Sequence, residues 1–295
     1  MAPGAGALRV PYDLTGKVVL VTGAARGIGL ATAHAVTRRG ARAVLVDLHG
    51  HDAERAAAEV GPHAVGLAGD VTDRGAMQQA VATAVERFGG LDVVVANAGI
   101  ASRGATARAM VPEAFERVLE VDTQGVWRTV QAALPQVVER RGHVVVVASI
   151  YAFTNGLGVA PYAMSKAAVE ALGRTLRVEL PQHGASATTA YFGFIDTPLV
   201  QDMIDADPAG DRLKARVPRP LRKRLAPEQA GEGIARAIER RAARVILPRR
   251  WTVPFVLRGV LGPALDELMA RDARTQAIAR ELDARAGAEQ PLSAS

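Results

Sequence analysis

The 295-residue chain contains no cysteine, which excludes disulfide bonds and thiolate-ligated metal sites. We predict no metal site. The lack of cysteine fits a reducing compartment, so we expect a cytoplasmic protein. The first twenty residues lack a basic start followed by a long apolar run, so no signal peptide is predicted. No uninterrupted apolar run approaches the ~20 residues of a membrane-spanning helix.

Acidic residues are outnumbered, with 30 Asp and Glu against 36 Lys and Arg, and much of this excess lies in residues 211–258. An arginine-rich surface can bind nucleic acid, acidic lipid or an anionic substrate. Aromatic residues make up only 4% of the chain, and the basic segment contains no nucleic-acid-binding motif. We therefore interpret it as a solvated basic face and expect no nucleic-acid partner.

Hydrophobic residues make up 49% of the chain and charged residues 22%, which is typical of a globular protein with a sizeable core. Seven short apolar runs predict strands: KVVLVTG, RAVLVD, HAVGLAGD, LDVVVANAG, HVVVVAS, SATTAYFGF and RVILP. Most are separated by segments with helical character. Strands that alternate with helices indicate a parallel sheet covered on both faces. We predict an α/β protein with a doubly wound Rossmann fold of about seven parallel strands.

Neither an internal repeat nor a change in composition marks a second domain, so we expect one catalytic domain over residues 14–250. Residues 1–13, rich in Gly, Ala and Pro, are predicted to form a flexible arm. Residues 198–225 are predicted to be irregular. Residues 251–295 form a C-terminal extension that is apolar at first and then resembles a solvated helix, and its last eight or so residues are expected to be disordered.

The glycine-rich stretch VTGAARGIG follows the first predicted strand and opens a helix. Gly23, Gly27 and Gly29 allow the backbone to turn sharply and to approach a pyrophosphate at the helix N-terminus. A tight turn without a ligand is the alternative, but the strand–loop–helix context favours dinucleotide binding.

Asp47 ends the second predicted strand, about twenty residues beyond the glycine loop. A carboxylate at that place accepts hydrogen bonds from the adenosine ribose and repels a 2′-phosphate, which favours NAD. Arg26 in the loop is a contrary signal, because a guanidinium pairs well with that phosphate. We predict NAD and keep NADP as the alternative; an ordinary acid at a strand end is the remaining interpretation of Asp47.

The stretch VAPYAMSKAA places Tyr162 four residues before Lys166. On a helix these two side chains share one face. A nearby ammonium favours the phenolate, which makes a tyrosine a better proton-transfer group near neutral pH. Because this spacing also arises by chance on surface helices, the pair alone does not establish catalysis.

Together these motifs resemble the short-chain dehydrogenase/reductase family. TGAARGIG matches the family's TGxxxGxG loop, and Asn97–Gly99 match its NAG motif. Ser149 lies thirteen residues before Tyr162, and Tyr162 and Lys166 fill its YxxxK motif. The resemblance covers residues 14–248.

The resemblance implies a role for each matching residue. Ser149 would hydrogen-bond the substrate oxygen, Tyr162 would exchange the hydroxyl proton, and Lys166 would bind the nicotinamide ribose and lower the pKa of Tyr162. The hydride chemistry would belong to the nicotinamide. Besides Tyr162, Lys166 and the loop residues, the implied cofactor contacts are Ile28, Asp47, Asp70, Val71, Asn97, Ala98, Gly99, Ile195 and Thr197.

Two residues depart from the family's pattern. The family usually has Asn in its NxxG segment, whereas the segment here is DTQG, with Asp122. A carboxylate there can pair with Lys166 and oppose ionisation of Tyr162, so we include Asp122 in the catalytic set and expect activity with a shifted pH optimum. Phe192 replaces the proline of the family's PG pair; it is expected to fill the core, with packing on the nicotinamide as the alternative.

Substrate specificity is expected to lie in residues 150–160, in a lid over residues 198–225, and in the tail. Apolar residues in this lid indicate a hydrophobic underside: Leu199, Val200, Met203 and Ile204. We infer a hydrophobic secondary alcohol or ketone, such as a steroid, retinoid-like or lipid-derived molecule. The alternatives are a 3-oxoacyl thioester reductase that uses NADPH and a dinucleotide-sensing protein without catalysis.

Two partner predictions remain. The family is usually dimeric or tetrameric through its two long helices, so a homodimer or homotetramer is expected. Residues 249–262 combine apolar side chains with flanking arginines, which can contact a membrane surface. Packing of this segment on the substrate cleft or on a second subunit is the favoured interpretation, with membrane contact as the alternative.

Overall fold

The computed structural model describes residues 11–286 and 292–294. The predictions for residues 1–10, 287–291 and 295 lie outside the described residues. At the end of the predicted arm, Tyr12 is held in place: its amide donates to the carbonyl of Glu239 at 2.6 Å, and the Arg241 guanidinium lies 4.4 Å from its ring centre.

Seven strands form a parallel sheet in the order β3-β2-β1-β4-β6-β7-β8. Their bounds are β1 (Val18–Thr22), β2 (Arg42–Asp47), β3 (Ala64–Ala68), β4 (Val93–Ala96), β6 (His143–Ser149), β7 (Ser186–Phe192) and β8 (Arg244–Leu247). This is the strand order of a doubly wound Rossmann fold, which confirms the predicted architecture.

A second, two-stranded sheet pairs the residues that follow the NAG motif with residues 292–294. Here β5 (Ile100–Ser102) pairs antiparallel with β9 (Leu292–Ala294). The backbone of residues 292–294 is therefore ordered, contrary to the expected disorder of the last residues. Local sequence could not indicate this, because a three-residue strand exists only through its partner.

Helices cover both faces of the central sheet. In chain order they are α1 (Gly27–Thr37), α2 (Gly50–Val60), α3 (Arg74–Phe88), α4 (Pro112–Leu119), α5 (Val126–Glu139), α6 (Ala160–Glu179), α7 (Pro198–Val200), α8 (Pro208–Arg216), α9 (Arg219–Arg222), α10 (Pro227–Glu239), α11 (Thr252–Val256), α12 (Arg258–Arg271) and α13 (Ala273–Asp283). Side chains alternate across each strand, as in β1: Val18 and Leu20 belong to the core on the side of α3, α5 and α6, while Val19 and Val21 belong to the core on the side of α1 and α10.

A π-helical turn, Glu120–Gly125, lies between α4 and α5. A Cβ at Gly125 would lie 2.6 Å from Cγ2 of Val71, so the glycine permits close packing at this turn. Single π turns occur often at functional sites, and this one contains Asp122.

The lid region is helical rather than irregular, since α7, a π turn over Gln201–Asp205, α8 and α9 fill most of it. The helix α13 is not simply solvated: Ile278 and Leu282 are buried against Ala209 and Leu213 of α8. The tail thereby packs on the lid.

The apolar start of the tail is divided between two environments. Trp251 and Phe255 are buried in the main core, whereas Val253, Val256 and Leu257 are exposed. Within the described residues, no helix is both long and apolar enough to cross a membrane.

Candidate active site

The glycine loop connects β1 to α1 at the centre of the sheet, where the strand order reverses. Gly23 has a φ of +62°, and a Cβ there would lie 2.8 Å from Cα of Ala98. A Cβ at Gly29 would lie 2.1 Å from the carbonyl oxygen of Gly23. Only glycine fits at either position, because one needs a left-handed turn and the other lies directly against the loop.

Asn97 fixes this loop to the neighbouring strand. Its side-chain amide donates to the carbonyls of Thr22 at 2.9 Å and Gly23 at 3.1 Å. The hydroxyl of Thr22 in turn accepts from the amides of Asn97 and Ala98. The ends of β1 and β4 are therefore bound into one rigid unit beneath the loop.

Two carboxylates lie on the side of β2 and β3. Asp47 accepts hydrogen bonds from the amides of Ala25 and Leu48, both at 2.9 Å, so its carboxylate is fixed beside the glycine loop. Asp70 accepts from the amide and hydroxyl of Thr72, both at 2.8 Å, and pairs with Arg117 at 3.4 Å. Burial opposes the ionisation of Asp70, but the bonds from Thr72 and Arg117 outweigh it and lower its pKa.

Arg26 precedes the first residue of α1, and its side chain is exposed. It forms no ion pair with a described acidic side chain. Two amides therefore hold the carboxylate of Asp47 in place, whereas the guanidinium of Arg26 is exposed.

Ser149 and Tyr162 meet at the carboxyl end of β6. Ser149 is the last residue of the strand, and Tyr162 lies in the first turn of α6. Ser149 lies close enough to Tyr162 to lower the pKa of the tyrosine, and the hydroxyl of Ser149 donates a hydrogen bond to the carbonyl of Phe192 at 3.4 Å. Ser149 is 6% exposed, and it lines the cavity of the cleft.

Lys166 lies one helical turn beyond Tyr162, with Nζ 5.2 Å from the tyrosine ring centre. The same Nζ lies 2.9 Å from Oδ2 of Asp122, and both side chains are almost fully buried. Oδ1 of Asp122 accepts a hydrogen bond from the amide of Ile100 at 2.7 Å. A Cβ at Gly99 would lie 3.1 Å from Oδ2 and 3.2 Å from Nζ, so the glycine of the NAG motif leaves space for this ion pair.

The two members of the ion pair shift the pKa of Tyr162 in opposite directions. Burial, the largest cause, raises this pKa, and the Asp122 carboxylate also raises it. The Lys166 ammonium and Ser149 lower it, and the net result is a rise. Burial lowers the pKa of Lys166, but Asp122 and Tyr162 together outweigh burial and raise it. The sequence indicated the ammonium's effect but not burial, which is the largest contribution.

A cavity of about 60 Å³ joins these groups at the inner end of the cleft. It is lined by Ile28, Asn97, Gly99, Val147, Ala148, Ser149, Tyr162, Lys166, Phe192, Gly193, Ile195, Thr197, Leu199 and Val200. Of the predicted lid residues, Leu199 and Val200 line it, whereas Met203 and Ile204 are buried elsewhere in the core. Phe192 both fills the core and lines the cavity, so the two interpretations of this residue are compatible.

Two residues were not predicted from the sequence. The ring of Tyr151 packs edge-on against Tyr162, with centres 5.9 Å apart, and burial raises its pKa to about 12. Arg117 pairs with Asp70 from the helix α4. A tyrosine two residues after the predicted serine was the only signal for the first, and no local pattern pointed to the second.

The residues present fit a dinucleotide. At Gly27, whose φ is +58°, a Cβ would meet nothing closer than Thr197 at 3.4 Å, so bare backbone faces the opposite wall of the cleft at the start of α1. Asp47 lies at the end of β2 beside this loop, and Ser149 of the Ser–Tyr–Lys group lies at the end of β6. A fold and site of this kind define a dinucleotide-dependent oxidoreductase.

The comparisons with known proteins agree. The sequence model of the family described as short chain dehydrogenase matches residues 17–208. A cis-4-hydroxycyclohexanecarboxylate dehydrogenase from Sinomonas cyclohexanicum is 35% identical over 222 residues, which cover 74% of this chain and 88% of the relative. An L-rhamnose 1-dehydrogenase (NAD(P)(+)) from a Sphingomonas species is 36% identical over 212 residues, covering 70% and 83%.

Among solved structures, a 3-ketoacyl-(acyl-carrier-protein) reductase from Brucella melitensis complexed with NADH superposes with a TM-score of 0.70. It is 28% identical, and the match covers 79% of this chain and 97% of that one. The chain therefore belongs to the short-chain dehydrogenase/reductase family, whose oxidoreductases use NAD or NADP.

Proposed function

We propose that the protein is an NAD-dependent alcohol dehydrogenase/carbonyl reductase that interconverts a hydrophobic secondary alcohol and its ketone. The observation that carries this proposal is the group formed by the buried Ser149 and Lys166 and the half-buried Tyr162, which line one cavity with Leu199 and Val200. A proton-transfer group and an apolar wall are the features that a carbinol substrate needs.

The bound nicotinamide supplies hydride transfer. Ser149 holds the substrate oxygen by donating a hydrogen bond to it. During oxidation, Tyr162 accepts the hydroxyl proton as the carbinol carbon becomes a carbonyl; during reduction, it returns that proton to the oxygen. The ammonium of Lys166, fixed by Asp122, stabilises the phenolate form of Tyr162 between the two steps.

The preference for NAD rests on Asp47. Two amides orient its carboxylate beside the glycine loop, where an added phosphate would meet a fixed negative charge. Arg26 has no such support. We expect turnover with NAD to exceed turnover with NADP.

Initial rates with both cofactors, using a panel of secondary alcohols that includes steroids, test this proposal. The variant Asp47→Ser should weaken the preference for NAD, whereas the matched loop variant Arg26→Ala should strengthen it. A wild-type preference for NADP would refute the assignment of Asp47. Turnover with 3-oxoacyl thioesters alone would favour the second candidate, a thioester reductase, which the similarity to the Brucella enzyme supports.

We also propose a homodimer or homotetramer formed through α5 and α6. Large apolar side chains are exposed on these helices: Trp127, Met164 and Val178. Light scattering of the purified protein measures this directly, and a monomer at micromolar concentration would contradict it.

A further inference from the structure

An aliphatic stripe runs along the outer side of α11 and α12. Its members recur at spacings of three and four residues, and all are between 37% and 75% exposed: Val253, Val256, Leu257, Val260, Leu261, Leu265 and Leu268. An amphipathic helix of a globular protein normally turns such a stripe toward the core. Here it faces outward, and no residue of α12 is buried.

The orientation of this stripe is fixed from the inner side. Arg258 donates to the buried Glu170 at 2.6 Å, and its guanidinium lies 4.6 Å from the ring centre of Phe255. Farther along, Asn155 donates to Asp266 at 3.0 Å. Rolling the helix to bury its stripe would break these contacts, so the apolar face stays outward.

The chain beside the stripe is basic and free of acids. Residues 212–227 contain seven Lys and Arg, residues 240–265 contain six Arg, and neither segment contains Asp or Glu. The two segments touch, because Nε1 of Trp251 donates to the carbonyl of Leu221 at 3.1 Å and Arg250 donates to the carbonyl of Lys223.

Three cations of these segments lie at the N-terminal end of the stripe without an ion-pair partner among the described acidic side chains. They are Arg219, Lys223 and Arg249, and all three are exposed. An apolar surface bordered by unpaired cations matches the boundary between acyl chains and anionic headgroups.

We propose that α11 and α12 lie flat on an anionic membrane surface. The aliphatic stripe enters the acyl boundary, and Arg219, Lys223 and Arg249 bind lipid phosphates. This attachment is independent of the proposed reaction. It extends the predicted membrane-contact segment, residues 249–262, to residue 268 and adds Arg219 of α9 and Lys223, which follows α9.

A second copy of the chain is the competing occupant of this face. The acids at the far end of α12 are already paired within the chain, Glu267 with Arg271 and Asp272 with Arg216. They offer a partner subunit's cations little new interaction. Anionic lipid therefore complements the whole face better than a second copy does.

Flotation of the full-length protein with phosphatidylcholine vesicles, with and without phosphatidylserine, tests the proposal. We expect binding that requires phosphatidylserine and falls as salt rises. Val260→Glu should reduce binding by at least about tenfold, because a buried aliphatic contact is replaced by a charge of the lipid's own sign. The matched variant Val85→Glu, on the exposed side of α3, should leave binding unchanged.

The charge-reversal variant Lys223→Glu should weaken binding to phosphatidylserine vesicles without altering the melting temperature. Failure of the wild-type protein to float with either vesicle would overturn the proposal. So would equal loss of binding in Val260→Glu and Val85→Glu. If Val260→Glu instead splits an oligomer and leaves flotation unchanged, the face is an interface between copies and the proposal is wrong.

Discussion

Replacing Asp122 by asparagine removes one buried negative charge and keeps an oxygen that can accept the hydrogen bond from Ile100. The carboxylate lies 2.9 Å from Nζ of Lys166, which lies 5.2 Å from the ring centre of Tyr162. The carboxylate is thus within about 8 Å of the ring, where a unit charge contributes about 2 kcal/mol at an effective dielectric constant of about 20. That energy corresponds to about 1.5 pKa units.

The sign of the effect follows from the charge. The carboxylate raises the pKa of Tyr162, so its removal lowers that pKa and makes the phenolate available at lower pH. In the oxidation direction Tyr162 acts as the base, so kcat/KM rises with pH through this pKa. We expect Asp122→Asn to move the rising limb of the profile to lower pH by about one unit, since solvent and cofactor reduce the full Coulomb effect.

The assay is kcat/KM for alcohol oxidation between pH 5 and 10 at saturating cofactor, a range of about five units around the expected limb. Glu120→Gln is the matched control, because it removes a charge from the same π turn but from a side chain that pairs with Arg128. The control profile should not move. A limb that stays in place in Asp122→Asn would refute the reasoning, and a limb that moves to higher pH would show that Lys166 had lost its proton.

The other predictions concern catalysis, the lid and acid stability. Tyr162→Phe should lower kcat by at least about a thousandfold while nucleotide binding, measured by fluorescence titration, persists, whereas Tyr151→Phe should keep most activity. Equal activity of the two variants would refute the proton-transfer role of Tyr162. Arg285→Ala breaks the ion pair with Asp207, which is formed at 2.6 Å with both side chains mostly buried, and should lower the free energy of unfolding by about 3 kcal/mol in urea denaturation. Burial lowers the pKa of His143 to about 3. This histidine therefore contributes stability that is present above its unfolded pKa and is lost as pH falls from about 6.5 toward 3, by up to about 1.4 kcal/mol per pH unit; His143→Gln should flatten that slope.

Much of the fold was predictable because the sequence of a buried parallel strand is a nearly continuous run of apolar residues. Strands such as β1 and β6 need no knowledge of their partners to be recognised. The sequence also predicted that the motif residues form one site. They lie at the carboxyl ends of strands or at the starts of the helices that follow, and in a parallel sheet these positions lie along one edge. Ser149 and Tyr162 meet in this way.

Other features depend on tertiary contacts that no local pattern shows. The π turn around Asp122 requires the close approach of Gly125 to Val71. The helix α13 is polar overall, and its apolar contact with the lid comes from Ile278 and Leu282, four residues apart. The net rise in the pKa of Tyr162 comes first from burial, which spacing along a helix cannot reveal.

The proposed proton-transfer residues lie inside the region that the family model matches, whereas the C-terminal tail lies beyond it. Every proposed proton-transfer residue lies within residues 17–208, the part that the family model matches. Beyond it, Trp251 and Phe255 pack against Phe153, which lies four residues after Ser149, with ring centres 6.5 and 5.3 Å apart. The tail therefore packs behind the segment that follows Ser149. Because Trp251 and Phe255 lie outside the matched region, we expect the tail to contribute to differences in substrate between this protein and its relatives.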